Sequence, residues 1–234
     1  MVARMTATSF HLAIDDGGEY LVVSSTDVAL GHARGGLAEI GLQADLRPLH
    51  AWLRWRTSFH EGPCWGIEPG DAEEGVAPVL VEGRPIDGLT DLIHGEVVQL
   101  SARVSFRFLL PEHASSTAQL QFLHGVETRG TSKVLLFVPG PQGRIRVGAR
   151  KRRHVPIAGL EHEVSLELSV DGLNVACEGG VREESPLARN LEQASTNKTV
   201  PCPPHSRIDL RVNARPSQRP PFGLSLSPLD PYSP

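Results

Sequence analysis

The chain has 234 residues, of which 40% are hydrophobic and 21% are charged, and its formal net charge at pH 7 is −4. This length accommodates one large domain or two small ones with buried cores, and the composition is that of an ordinary globular protein. The slight acidic excess argues against a general nucleic-acid binder, because such proteins neutralise phosphates with a surplus of cations.

The N-terminal residues and the cysteines predict a cytoplasmic protein with no membrane partner. The stretch MVARMTATSFHLAIDDGG lacks the apolar core of a signal peptide. No run approaches the roughly 18 apolar residues that a membrane span needs. Cys64, Cys177 and Cys202 are odd in number and have no metal-like spacing, which is typical of unpaired thiols in a reducing compartment.

Short strand patterns dominate the chain from the N-terminus onward. Nineteen prolines and 23 glycines divide it into pieces with β-branched or aromatic content. In 104–110, Val104, Phe106 and Phe108 alternate with Ser105 and Arg107, which predicts a strand with one wet face. The predicted strands are 19–23, 27–31, 50–55, 78–83, 95–100, 104–110, 133–138, 144–148, 154–160, 163–170, 173–177, 206–212 and 223–229.

Only 89–95 and 184–194 could hold a helical turn, and 184–194 fits a polar loop better. Regularly spaced short strands separated by turn residues are typical of a sandwich or barrel. We therefore predict an all-β fold.

An internal repeat predicts two copies of one β unit. Residues 20–34 align with 135–150, since each is an apolar strand, a turn and a second strand, which closes on Gly31-His32-Ala33-Arg34 in the first copy and on Gly148-Ala149-Arg150 in the second. Residues 92–100 align with 203–210 at a similar shift. The predicted units are 10–112 and 119–231, joined by the polar stretch EHASSTAQ (112–119).

The order of these pieces resembles the forkhead-associated (FHA) family, whose small β-sandwiches read phosphothreonine peptides with the loops at one end. Gly31-His32 stands at the family's Gly-Arg, and residues 47–51, RPLHA, at its Ser-Arg-x-His-Ala. VLVEGRPI (79–86) and LTDLIHGEVVQL (89–100) match two later segments. The resemblance covers residues 18–111 and more faintly 133–230. It implies two tandem FHA-like (SMAD/FHA type) β-sandwiches, similar to tandem degenerate FHA-like bacterial proteins.

The resemblance also implies roles for five residues of the first unit. Gly31 and His50 are expected to be structural, with the His50 side chain bracing the binding loops. His32 and Arg47 occupy the positions of the family's two phosphate-contacting residues, Arg and Ser. Together with Arg34 they are the candidate phosphopeptide-binding residues. The family's peptide-holding Asn falls near Ala77, where no amide side chain exists.

The basic run RKRRH (150–154) is the densest concentration of positive charge in the chain. The simplest interpretation of this run is a solvent-exposed hairpin tip with no binding role. In the alignment of the two units it follows the second strand of the second copy, at the end where this fold binds ligands. Arg150, Arg152 and Arg153 are therefore the candidate anion patch of the second unit.

Two enzymatic interpretations compete with the binding fold. Cys64-Trp65 is similar to the Cys-Trp pair of papain-like proteases, but the preceding Gly-Ser is absent, and Trp65 is expected to start a strand that packs on the core. The ten histidines could form a metal site only if three or four converged in space. No glycine-rich phosphate cradle is present. We expect no catalytic residue, no metal and no cofactor.

The sequence therefore predicts a non-catalytic protein-interaction or scaffold module on a degenerate FHA fold, with phosphate-independent binding favoured. The alternative is a phosphothreonine-peptide reader that uses Arg47 and His32, since a guanidinium and a protonated imidazole both suit a phosphate. A remote alternative is a hydrolase or metalloenzyme. The expected partner is a protein or phosphoprotein, and the sequence does not specify an oligomeric state.

Overall fold

The computed structural model describes residues 8–58, 62–70, 77–112, 115–138, 143–158, 160, 163–169, 172–177, 181–183, 200–202, 208–212 and 222–228. Within these ranges every regular element is a β-strand, apart from one short 3-10 helix, Ala33–Gly35. The all-β prediction is confirmed. None of the described residues belongs to a helix long and apolar enough to cross a membrane.

All six strand pieces predicted in the first half contain a strand, whereas the strands at 8–14, 40–42 and 90–91 were not predicted. Alternating or continuous apolar side chains define the strands of the first half, and turns with glycine separate them. They are β1 (Thr8–Ile14), β2 (Gly18–Ser24), β3 (Asp27–His32), β4 (Ile40–Leu42), β5 (Ala51–Ser58), β6 (Gly62–Pro69), β7 (Leu80–Val81), β8 (Arg84–Pro85), β9 (Thr90–Asp91), β10 (Val97–Ser101) and β11 (Val104–Leu109).

The second half repeats the pattern with ten strands among the described residues. They are β12 (Ala118–Phe122), β13 (Lys133–Phe137), β14 (Arg144–Gly148), β15 (Val155–Pro156), β16 (Val164–Ser169), β17 (Gly172–Cys177), β18 (Val181–Glu183), β19 (Val200–Cys202), β20 (Ile208–Val212) and β21 (Phe222–Pro228).

Three sheets contain all of these strands, and their orders are related by symmetry. An 11-stranded sheet has the order β18-β20-β21-β1-β2-β13-β12-β11-β10-β7-β8, with parallel pairing only between β2 and β13. The sheet is symmetric about that pair. Strand β1 lies beside β2 as β12 lies beside β13, and β21 lies beside β1 as β11 lies beside β12. The two five-stranded sheets, β4-β3-β5-β6-β9 and β15-β14-β16-β17-β19, correspond strand for strand. In each, the first two strands pair in parallel.

The five-stranded sheets cover opposite faces of the long sheet, which produces two hydrophobic cores. Leu21 and Val23 of β2 point into the first core, whereas Tyr20 and Val22 point into the second. Strand β13 divides its side chains in the same way. The two central strands are therefore apolar on both faces, as their unbroken apolar sequences require.

Each core is completed by the first hairpin of the other half. Strand β1 pairs with β21, and its Phe10, Leu12 and Ile14 belong to the second core. Strand β12 pairs with β11 and contributes to the first core. The predicted boundary at 112–119 thus separates two strands that are hydrogen-bonded neighbours, and the division into two units stays a prediction.

Three sequence expectations differ from the described structure. The stretch 89–95 forms the short strand β9 and a turn instead of a helical turn. Residues 118–122 form a core strand although 112–119 was expected to be a polar linker, and 8–14 form a strand that was not predicted. Residues 184–194 lie outside the described residues.

Candidate functional site: the loop end

Several connections meet at one end of the first sandwich, which we call the loop end. It comprises the β1–β2 turn, the connections β3–β4, β4–β5, β10–β11 and β12–β13, and the described residues that adjoin the end of β6 and the start of β7, namely Gly70 and 77–79. Residues 25 and 26 join β2 to β3 at the opposite end, so the beginning of β2 and the end of β3 both lie at the loop end. The antiparallel pairing of β3 with β5, of β5 with β6 and of β12 with β13 places the other connections at the same end.

Gly31 permits the β4–β5 connection to press against β3. A Cβ built on Gly31 would overlap the carbonyl oxygen of Pro48, so no other residue fits without displacing that backbone. The N–H of His32 donates to the Arg47 carbonyl at 2.8 Å, and the N–H of His50 donates to the Leu30 carbonyl at 2.8 Å. Gly31 and His50 therefore lie side by side, and the segment between Arg47 and His50 is held as an extension of the sheet.

His50 is buried beneath this segment, with 1% of its surface exposed. Burial lowers the pKa of His50, and the nearby charge of Arg47 lowers it further, while the backbone of Leu100 acts in the opposite direction. The ring is therefore neutral at pH 7. Neither ring nitrogen has a well-formed hydrogen bond to the described residues. The bracing role of His50 through side-chain hydrogen bonds stays a prediction.

His32 caps the short helix Ala33–Gly35 with its side chain. Its Nδ1 accepts a hydrogen bond from the N–H of Arg34 at 3.0 Å. Protonation of Nδ1 would remove the lone pair that holds this cap. The Arg34 side chain itself is exposed.

Arg47 turns its guanidinium back toward its own connection. Its Nη2 donates to the His50 carbonyl at 3.3 Å, and its Nε is buried without a partner among the described residues. The side chain is half-buried and forms no ion pair within the same ranges. The three candidate phosphopeptide residues are thus neighbours in the fold, but only Arg34 is fully available to a ligand.

An apolar side chain is exposed beside these residues. Leu37, in the β3–β4 connection, has 65% of its surface exposed and is one of two large exposed hydrophobic residues in the described chain. The other, Ile93, lies at the opposite end, between β9 and β10. Pro48 is also exposed, and it packs against Gly35. Leu37 and the exposed Arg34 thus lie in the same connection, at the surface of the loop end.

The β12–β13 connection is a part of the loop end that sequence reasoning missed. Thr128 and Thr131 form a tight turn around Arg129-Gly130, and both of these central residues have positive φ. The Thr128 hydroxyl donates to the Gly41 carbonyl of β4 at 2.9 Å, and the Thr131 hydroxyl donates to the Glu19 carbonyl at 2.8 Å. The sequence Thr-Arg-Gly-Thr (128–131) predicts a turn, but it does not indicate which carbonyl groups accept the two threonine hydroxyls.

In the second half, Arg153 is occupied by carboxylates. Its Nη1 lies 2.6 Å from Glu112, and its Nη2 contacts Glu163. Arg146 pairs with the same two glutamates at 3.3 and 3.6 Å. Arg153 therefore anchors the turn that follows β14, whereas Arg150 and Arg152 are exposed on it. The anion-patch prediction now depends on these two residues.

The cysteine interpretation meets unfavourable electrostatics. The Cys64 thiol donates to Asp91 Oδ1 at 3.3 Å, and the same carboxylate accepts from Arg56. Burial, followed by the hydrogen bond and charge of Asp91, raises the pKa of the Cys64 thiol. A nucleophilic cysteine needs the opposite shift. Trp65 packs into the core as expected, with 1% exposed.

Comparison of the chain with protein-family models, with curated proteins and with solved structures found no match. Among the described residues no group of three or more histidine, cysteine, aspartate or glutamate side chains is placed to hold a metal ion.

Proposed function

We propose that the protein is a non-catalytic protein-interaction module, built from two FHA-like units, that binds its partner at the loop end without requiring phosphate. The observation that carries this proposal is the use made of His32 and Arg47. The His32 Nδ1 already accepts the Arg34 amide, and the Arg47 guanidinium is turned toward the His50 carbonyl. The positions that contact phosphate in the FHA family are thus engaged in holding the loops.

The strand arrangement supports the duplicated FHA-like architecture. A single β unit repeated twice accounts for the correspondence of the two five-stranded sheets and for the symmetry about the β2–β13 pair. The placement of Gly31 against Pro48, with His50 buried beneath, supports the same alignment. A rigid sandwich that presents braced loops is a suitable support for recognition.

The exposed Leu37 and Arg34 supply the contacts that a phosphate-independent interface uses. Arginine is enriched in protein interfaces, and apolar side chains buried at the centre of an interface exclude water. Leu37 exposes 65% of its surface, and among the described residues it is the one large exposed apolar side chain at the loop end.

An array of paired phosphothreonine and unmodified peptides tests this function. We expect equal binding within each pair, and we expect Leu37→Asp to reduce binding at least tenfold. Ile93→Asp is the matched control, because Ile93 is equally exposed, at 62%, but lies at the other end. A preference for phosphorylated peptides that Arg47→Ala removes would instead establish a phosphothreonine reader. If Leu37→Asp and Ile93→Asp bind alike, the loop end is not the binding surface.

A further inference from the structure

Each of the three sheets ends in two edge strands, which have a strand partner on one side only among the described residues. These edge strands are β8 and β18 in the long sheet, β4 and β9 in the first five-stranded sheet, and β15 and β19 in the second. The free backbone N–H and C=O groups of an edge strand can pair with a strand of another molecule, unless the edge is blocked. How each edge is blocked therefore decides whether the sheets can grow.

Pro85 blocks the long sheet at β8. The N–H of Ile86 donates to the Val79 carbonyl at 3.0 Å, so the backbone of Ile86 faces the segment that contains β7. Successive residues of a strand direct their backbone groups to opposite sides, and Pro85 therefore faces outward. Its nitrogen carries a ring carbon where the outward N–H would be. An approaching strand thus finds no donor at this position, and the exposed ring obstructs it.

Pro156 has the same position in the edge strand β15. This strand pairs in parallel with β14, and the N–H of Ile157 donates to the Gly148 carbonyl at 2.9 Å, which directs Ile157 toward β14. Pro156, one residue earlier, is directed away from β14, and it is exposed. The other edge of this sheet, β19, has Pro201 as its central residue. Both edges of the second five-stranded sheet thus carry a proline.

The edge strand β4 is closed by a side chain instead of a proline. Gly41 is its central residue, and the Gly41 carbonyl accepts a hydrogen bond from the Thr128 hydroxyl at 2.9 Å. Thr128 is buried, with 1% of its surface exposed. The turn between β12 and β13 therefore covers the open side of β4, and loss of the hydroxyl would leave the Gly41 carbonyl without this donor.

The two remaining edge strands are short and contain charged residues. Strand β9 has two residues, and its Asp91 accepts hydrogen bonds from Arg56. Strand β18 has three, with Arg182 and Glu183 among them. Short length and charged residues are further ways in which proteins keep an edge from pairing. All six edges of the described sheets thus have a feature that opposes strand addition.

We propose that Pro85, Pro156 and the Thr128 hydroxyl prevent other strands from adding to the sheets of this protein. Each withholds a backbone group that strand addition needs, namely an N–H at β8 and at β15 and a C=O at β4. The protein consequently neither associates with itself nor captures an extended partner through these three edges. This inference goes beyond the proposed function, because it does not depend on what binds at the loop end.

Sedimentation velocity of edge variants tests the inference. Pro85→Thr with Pro156→Thr restores two outward N–H groups, and Thr128→Val frees the Gly41 carbonyl. Threonine and valine are chosen because β-branched residues favour strands. We expect the triple variant to associate with itself. Its weight-average mass should rise with protein concentration to at least twice that of the wild-type chain under the same conditions.

Two matched controls separate the edge effect from the substitutions themselves. Arg84→Thr changes a neighbouring residue of β8 that faces β7, so it adds no outward N–H. Pro111→Thr removes a half-buried proline that lies outside the strands. Neither control should raise the mass above that of the wild type. Hydrogen exchange locates the contact, since the N–H groups introduced at positions 85 and 156 should exchange more slowly at high protein concentration than at low concentration.

Circular dichroism and urea denaturation verify that the associating variant is folded. A folded triple variant that keeps the wild-type mass at every concentration would overturn the inference, and so would an equal rise in either control. Association without slower exchange at positions 85 and 156 would overturn it as well, because other surfaces would then be responsible. If the triple variant does not fold, the variant with both prolines replaced, which retains the buried Thr128 hydroxyl, decides by the same criteria.

Discussion

The Nδ1 atom of His154 accepts a hydrogen bond from the backbone N–H of Arg146 at 2.9 Å, in a fully buried position between two arginines. Burial lowers the pKa of His154 to about 4, and the charges of Arg146 and Arg153 contribute in the same direction. A proton on this ring would break the bond to the Arg146 amide and add a third positive charge to the cluster. The imidazole is therefore a structural acceptor that requires neutrality.

Acid is accordingly expected to destabilise the fold through His154. The unfolded chain protonates this ring near pH 6.5 and the folded chain near pH 4, so stability falls as pH decreases through that window and is unaffected above it. The loss amounts to about 3 kcal/mol at most. Urea denaturation between pH 7.5 and 4 measures it. His154→Asn, which keeps an acceptor that does not titrate, should make the curve shallower, although the buried His50 still contributes, whereas His124→Gln at the surface should leave the slope unchanged.

The two cores are expected to unfold in one transition, because β2 and β13 belong to both. Leu135 and Leu136 are adjacent, fully buried leucines that point into the second and the first core, respectively. Each Leu→Ala change should cost about 2–5 kcal/mol. All three tryptophans lie in the first half, yet Leu135→Ala should shift the urea transition seen by tryptophan fluorescence as much as Leu136→Ala does. An unshifted fluorescence transition with a biphasic circular dichroism curve would show that the cores are independent.

Gly31→Ala is expected to destabilise the loop end severely, because its Cβ would overlap the Pro48 carbonyl. Overpacking against a backbone of this kind costs about 3 kcal/mol, measured as the change in free energy of unfolding. Gly88→Ala is the control, since a Cβ there meets nothing within 4 Å. That change should stay within about 0.5 kcal/mol of wild type. Similar effects at both positions would refute the packing of β3 against Pro48.

The Glu112–Arg153 pair is expected to be strongly coupled. Its side chains are 14% and 12% exposed, whereas those of Arg144 and Glu167 are 38% and 44% exposed. A double-mutant cycle with glutamine substitutions should give about 1–3 kcal/mol for the first pair and under about 1 kcal/mol for the second. Equal coupling in the two cycles would mean that burial does not strengthen the first pair.

The strand content could be predicted because period-two alternation is a local property. Val104, Phe106 and Phe108 were expected on one face, and all three are buried. Strand β14 was predicted with its observed ends, and β16 and β20 within two residues. The short strand β4 was not predicted, and β1 and β12 were overlooked, although Phe10, Leu12 and Ile14 alternate with the smaller or polar Ser9, His11 and Ala13. Strands β1 and β12 each complete the core of the opposite half.

The candidate site was only partly predictable. The proximity of Gly31 and His50 follows from the order of the strands. The engagement of His32 by the Arg34 amide and of Arg153 by two glutamates does not, because rotamers and distant partners decide it. The turn that carries Arg129 is placed at the loop end by the hydrogen bond from the Thr128 hydroxyl to the Gly41 carbonyl of β4. These two residues are 87 positions apart in the sequence.

The sequence by itself determined that this protein is all-β and which apolar side chains of its regularly alternating strands face inward, because alternation and turn residues act over a few neighbouring positions. Only the tertiary structure decided that the two halves exchange their first hairpins across β2 and β13, since backbone hydrogen bonds between strands are the same whatever their side chains. It also decided which arginines are neutralised, because an ion pair depends on distances that the fold alone sets.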